Sequence, residues 1–318
     1  MDSPSNFRIM WNPLNHRSPH AFAAGVRWFA ASLFFVGLLP FADPGLLMAD
    51  DKKEAAEKGT ESQNTGRSLE ERKKQARRPY NYIQLSYMRV PDGGEEDYLA
   101  IEAEWKELHE GRCQLGDLLF WGLLKVDNPE AMGCQFVTMQ GFHSLDDSRK
   151  WPRLGKVAKM LGKELDVDAL IERTKASREI LHSETYEMVD FVGSSSPEVD
   201  IARFGFFQPG EDLDQAYVDA ERNEAAPRFQ TMVDLNPAFK MWGLTRLVST
   251  TAKNRSHKYR IFHLLDSTKL PKTDEERQQL EKKIREAQPK SGGQPGNTNW
   301  NKLRKWVKGG QLRWVMRT

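Results

Sequence analysis

The sequence predicts an α+β protein built from two copies of one β-α-β-β-α-β unit, residues 80–193 and 198–318, joined by a short linker at 194–197. Three observations predict it. An apolar strand, Leu-Leu-Phe-Trp-Gly-Leu-Leu-Lys-Val at 118–126, returns as Phe-Lys-Met-Trp-Gly-Leu-Thr-Arg-Leu-Val at 239–248, the Trp-Gly-Leu matches standing 121 residues apart. Each copy follows a turn rich in Pro, Gly and Asp (Pro91-Asp92-Gly93-Gly94 and Pro209-Gly210-Glu211-Asp212) and an acidic helix that carries Tyr98 or Tyr217. The remaining segments fall in the same order in both halves.

The chain has 318 residues, enough for two domains of ordinary size. Its net charge of +2 gives no reason to expect nucleic acid or an anionic membrane surface as partner. Residues 1–49 read as an address. Arg8, Arg17 and Arg27 precede an apolar run from Trp28 to Ala42. That run falls short of the ~20 residues that span a hydrocarbon core, but fits a secretory signal. Cleavage after Ala49 predicts export, to a periplasmic or extracellular destination; an uncleaved membrane anchor is the alternative. Removing these residues takes away three basic and two acidic groups, so the mature charge is +1. Residues 50–79 are charged, with too little apolar surface to offset their ordering entropy, and read as a flexible linker. Cys113 and Cys134 match no zinc or redox spacing and are either a disulfide or two reduced thiols.

In the first unit, residues 81–90 alternate Ile83, Leu85 and Tyr87 against Gln84, Ser86 and Met88, a strand with one strongly apolar face. A helix is expected from Glu95, where acidic residues suit the macrodipole, to Gly111 or Gly116. The strand at 118–126 follows, then a third at 134–142, a helical stretch at 146–178 broken at Pro152 and near Gly162, and a fourth strand at 184–192. The second unit repeats this. It has strands at 198–207, 239–248 and 257–265, a helix from Asp212, a charged helix at 274–287, and a flexible loop at 289–297. A short helix at 299–307 and a last strand at 311–317 complete it. A chain that ends on a strand predicts that truncation there is damaging.

This order is the ferredoxin-like, or split βαβ, arrangement: a four-stranded antiparallel sheet with helices on one face. Both strands that carry Trp-Gly-Leu are apolar on both sides, so the second sheet face needs cover as well. The sheet of the other unit is the economical cover, the two packed face to face as a pseudo-dimeric barrel. On these residues the chain resembles the dimeric α+β barrel superfamily in a tandem form. The resemblance implies a fold, and a monomer that needs no second chain to cover its sheets. It does not choose among monooxygenases, isomerases, haem-dependent enzymes and non-catalytic members.

Alternation assigns to the space between the sheets the side chains opposite the helix-packed faces: Gln84, Ser86, Phe136, Thr138, Gln140, Arg203 and His263, with Trp121 and Trp242 as walls. Such a lining fits a small, largely apolar ligand, and equally a filled interior. His109, four residues after Trp105, His143 and His263 are the candidates for acid–base chemistry. No ligand pattern accompanies any histidine, so no metal is expected, and haem is the weaker alternative to having no cofactor. Trp300, Trp306 and Trp314 alternate with basic residues, but at helix and strand spacing that explains them as core rather than as a nucleic-acid surface. The sequence therefore predicts an exported protein that binds a small molecule or has a non-catalytic envelope role. A cofactor-free monooxygenase or isomerase, or a haem-dependent enzyme, is the alternative.

Overall fold

The computed structural model describes residues 80–150, 152–162, 166–254, 256–288 and 298–318. The expected signal at 1–49, the expected linker at 50–79 and the expected loop at 289–297 lie outside the described residues. The first half contains β1 (Tyr82–Arg89), α1 (Glu95–Gln114), β2 (Phe120–Val126), α2 (Pro129–Met132), β3 (Phe136–Phe142), α3 (Leu145–Arg149), α4 (Leu154–Met160), α5 (Val167–Ser177) and β4 (Glu179–Gly193). The second contains β5 (Ile201–Pro209), α6 (Asp214–Ala220), a π-helical turn (Glu221–Ala225), α7 (Ala226–Leu235), β6 (Phe239–Thr250), β7 (Tyr259–Leu265), α8 (Asp274–Ala287), α9 (Trp300–Leu303) and β8 (Arg304–Arg317).

All eight strands form one closed antiparallel barrel in the order β1-β3-β2-β8-β5-β7-β6-β4. Each half contributes the same local order, 4-1-3-2 and 8-5-7-6. The halves are joined at their edges, β2 to β8 and β4 to β6, by continuous ladders. This corrects the face-to-face arrangement: two sheets are not stacked, and closure leaves no edge unpaired. The interior draws on every strand, with Ile83, Leu85, Tyr87, Leu124, Val137, Met139, Tyr186, Met188, Phe204, Phe206, Met241, Phe262 and Leu312 among its residues. Each such side chain contributes roughly 1.5–3 kcal/mol by leaving water. Helices cover the outside.

The repeated Trp-Gly-Leu now has a physical meaning. Trp121 and Leu123, like Trp242 and Leu244, point outward into the layers beneath the helices. The glycine between them points inward, where an aromatic ring occupies the place of its side chain. A Cβ on Gly122 would lie 2.1 Å from the ring of Trp314, and one on Gly243 2.2 Å from Phe262.

Each half also pins its first helix with the same three residues. Tyr98 and Glu102, one turn apart on α1, meet Arg178 at the entry to β4; Tyr217 and Glu221 meet Arg304, the first residue of β8. Both glutamates are 1 % exposed and ion-paired with their arginine. Burial raises both carboxyl pKa values against the pull of the arginine, that of Glu221 to about 7.

Three elements differ from expectation. β4 begins at Glu179, because Arg89, Met88 and Tyr87 of β1 pair with it that far back. The helix after Pro209 is interrupted by the π turn just before Pro227, which has no N–H to continue a regular ladder. Residues 304–307 are strand rather than helix, since β8 pairs with β5 as far as Pro209. Trp306 in that stretch is 56 % exposed and is not core; its ring lies over Gly309 and against Phe207. Cys113 and Cys134 are free thiols, Cys113 in the outer layer and Cys134 in the interior, on opposite sides of the sheet.

Gly122→Ala and Gly243→Ala are each expected to destabilise the fold by about 1–3 kcal/mol through overpacking, seen as a lower urea midpoint at unchanged m-value. A chain ending at Gly309 loses Leu312 and the whole β2–β8 ladder. It is expected to lose cooperative unfolding; a cooperative thermal transition in such a chain would contradict the closure described.

Candidate functional site at one end of the barrel

Polar side chains inside the barrel gather at the end where β1 and β5 finish and β4 and β7 begin. Glu184, 3 % exposed, accepts a hydrogen bond of 2.6 Å at Oε2 from the Tyr186 hydroxyl. The same hydroxyl lies 2.7 Å from Nε2 of His257, itself 2 % exposed. Tyrosine has one proton, and it is given to the carboxylate. Nε2 of His257 is therefore the donor to the phenolic oxygen, a tautomer assigned from the network. Glu184 Oε1 stands 3.5 Å from that nitrogen and 3.9 Å from Nε2 of His182. Burial, and then the Glu184 charge, raises the Tyr186 pKa well above the usual phenol value and keeps the ring neutral.

Tyr87 stacks on His182 at 4.3 Å between centroids, and its hydroxyl faces Glu184 and Tyr186. Burial lowers the His182 pKa, with Lys308 adding to the effect and Glu184 opposing it. Lys308, half-buried, places its ammonium 5.3 Å from the Tyr87 ring and 5.2 Å from that of Phe206. Deepest is Arg260, 0 % exposed, whose guanidinium lies 4.6 Å from Tyr186, 4.7 Å from Phe204 and 5.3 Å from Phe262. Its Nε donates to Thr245 Oγ1 at 3.2 Å, while neither terminal nitrogen has a partner. The arrangement can hold a polar group against Arg260 and Lys308, and can pass a proton along Glu184, Tyr186 and His257.

None of the lining residues expected from alternation lies inside the barrel. Gln84, Ser86, Phe136, Thr138, Gln140, Trp121, Arg203, Trp242 and His263 all sit on its outer face, because the two faces are the reverse of those assigned. The interior is enclosed by strands on every side, so the most apolar face of each strand goes there; the outer face is covered only in part and tolerates Gln84 and Gln140. Outside, Ser86 Oγ meets Ser183 Oγ at 2.8 Å, Arg112 donates to Gln140 Oε1 at 3.4 Å, and Arg203 Nε donates to Gln311 Oε1 at 2.9 Å.

His109 lies between the rings of Trp105 and Trp121, with Nδ1 3.1 Å from Arg112 Nη1. Burial, then the charges of Arg112 and Arg178, holds its pKa well below the usual value. His263 packs on Phe229 and Phe239, its pKa lowered to about 3 by burial and by Arg203. His143 is exposed, and its carbonyl accepts from Asn81 Nδ2. These three candidates stand apart from one another and from the interior cluster. The signal that could have led to that cluster was Arg260, a lone cation on the apolar face shared by Phe262 and Leu264.

A haem does not fit the five described histidines as placed. His109 and His263 are sandwiched by rings, His257 Nε2 is bonded to Tyr186, His182 is stacked on Tyr87, and His143 faces solvent. Among the described residues no group of three or more His, Cys, Asp and Glu side chains could hold a metal ion. A groove of about 430 Å³ lies on the outer surface beside the π turn, lined by Asp219, Asn223, Glu224, Thr298, Asn299 and Lys302 among others; no histidine lines it.

The fold is an eight-stranded antiparallel barrel closed from two four-stranded halves, with helices outside, the architecture that the resemblance to the dimeric α+β barrel superfamily implies. No family model matches the chain, and no curated protein matches it. Similar solved structures include an anthrone oxidase-like protein (9% identity, 76% of this chain and 94% of that one, TM-score 0.42). A heme-binding protein from Thermus thermophilus is similar at 6% identity, over 74% of this chain and 92% of that one, TM-score 0.40. A chlorite dismutase mutant from Candidatus Nitrospira defluvii is similar at 10% identity, over 77% and 95%, TM-score 0.42. At such identities nothing of their chemistry transfers to this chain.

His263 bears on stability through pH. Its folded pKa is depressed, so between about 6.5 and 3 the unfolded chain binds a proton that the folded chain refuses, and stability falls as pH falls. His263→Phe is expected to remove a slope of up to about 1.4 kcal/mol per pH unit in that window. Urea unfolding at pH 7 and pH 4.5 reads it; an unchanged difference between the two pH values would contradict the assignment.

Proposed function

We propose that the protein binds a small, largely apolar molecule at the polar end of its barrel. One observation carries this. The hydrogen-bonded chain Glu184–Tyr186–His257 is buried, with Arg260 and Thr245, in an otherwise apolar interior, at the end where the half-buried Lys308 and His182 lead to solvent. Buried polar groups cost stability unless they are satisfied, and a barrel closes without them. The opposite end, with Phe120, Met241, Leu264 and Trp314, is apolar. A few polar groups converging beside apolar walls is the pattern of small-molecule sites.

In this proposal the halves are tandem ferredoxin-like copies whose fusion completes the barrel within one chain. The shared strand order, the two Trp-Gly-Leu strands and the two Tyr-Glu-Arg triads support it. Residues 1–49 export the protein. A second reading, a cofactor-free oxygenase or isomerase, is favoured by the capacity of Glu184, Tyr186 and His257 to move a proton.

Native mass spectrometry of the full chain purified from its producing cells tests the proposal. An added small-molecule mass is expected, and the intact mass should begin at Asp50. Conversion of the co-purified molecule on incubation would select the enzyme. A bare polypeptide mass, with no shift in melting temperature on adding decan-1-ol or decanoate, overturns ligand binding.

A further inference from the structure

We infer that the molecule bound at this end of the barrel carries a carboxylate, and that Arg260 receives it; this rests on the binding proposed above. Arg260 is fully buried, and no ion pair joins it to a carboxylate among the described residues. Glu184, whose side chain lies in the same interior, gives Oε2 to the Tyr186 hydroxyl, and its Oε1 faces His257 and His182. Buried cations in proteins are ordinarily paired, because a charge out of water with open donors is strongly unfavourable.

Three aromatic rings hold the guanidinium by the electrostatics of their faces and fix its plane. Among the described residues its one hydrogen bond is at Nε, so the two terminal nitrogens are left together as an unused fork. Two parallel N–H donors match the two oxygens of a carboxylate. Tyr87 brings its hydroxyl to the same end, beside Glu184 and Tyr186. Charge completes the argument: Arg260 and Lys308 bring two positive charges against the single carboxylate of Glu184. One charge in excess suits a monoanion, and the apolar walls suit a hydrocarbon or aromatic body behind it.

The test is calorimetric titration of the full chain with decanoate, with decan-1-ol of equal length, and with chloride and inorganic phosphate as bare anions. Decanoate is expected to bind at least about tenfold more tightly than decan-1-ol, the difference expected of a charge-assisted bidentate contact. Arg260→Met is expected to abolish that preference while retaining the alcohol. Should that variant not fold, Lys308→Met, at a half-buried position, is expected to weaken decanoate several-fold and leave decan-1-ol unchanged. Equal affinities in the unaltered protein overturn the carboxylate and leave apolar binding standing, whereas binding of neither probe removes the binding proposal itself. A preference that survives Arg260→Met overturns the role of Arg260, and so does an unchanged preference in Lys308→Met if the first variant is unfolded. Chloride or phosphate binding as tightly as decanoate reduces the site to a bare-anion pocket and overturns the apolar carboxylate.

Discussion

Closure of the barrel is the constraint on which the rest depends. Pairing β2 with β8 and β4 with β6 removes the open edges and turns one face of each strand into the wall of an enclosed interior. From then on the two sides of a strand obey different rules. Inside, side chains must interdigitate across the barrel, so Gly122 and Gly243 yield their volume to Trp314 and Phe262. Outside, the strands meet helices that cover them in part, so Gln84 and Gln140 are tolerated beside Trp121 and Phe136. Because the C-terminal strand supplies one of the two closing ladders, the last residues of the chain hold together the first half as well as the second.

The helices are held to that wall by interactions that occur once in each half. A tyrosine and a glutamate one turn apart reach an arginine at the entry of the fourth strand, and both glutamates are taken almost wholly out of water. The desolvation of such a buried pair offsets much of its Coulombic gain, so each pair ties helix to strand at little net gain in stability. The polar chain inside the barrel is different, because it occurs once and lies at one end. The triads are repeated in the two halves, whereas Glu184, Tyr186, His257 and Arg260 form a cluster that is not repeated among the described residues.

Much of the local structure was legible from the residues. The α1 start at Glu95, its stop before Gly116, the breaks at Pro152 and Gly162 and the whole of α8 follow from acidic first turns, left-handed glycines and prolines, which act through the backbone next to them. The site was not legible, and the reason lies in a single assumption. Ile83, Leu85 and Tyr87 are the apolar side of β1, and a sheet backed by helices would turn that side to the helices. Closing the sheet turns it inward instead, and the same inversion moves Trp121, Thr138 and His263 to the outside. His109 has the spacing of a functional residue and proves to be packed between two indoles.

By itself the sequence determined the elements, their order and the repetition of the Trp-Gly-Leu strand, because helix caps, turn residues and period-two alternation are read within a few residues of where they act. Alternation says that Ile83 and Gln84 lie on opposite faces; it cannot say which face is enclosed. Only the tertiary structure decided that, since it depends on ladders between strands far apart in the chain, β2 with β8 above all. The same long-range pairing brings Tyr87, Glu184, Arg260 and Lys308 to one end of one barrel, where a charge that looks incidental in the apolar run of β7 becomes the most buried cation of the interior.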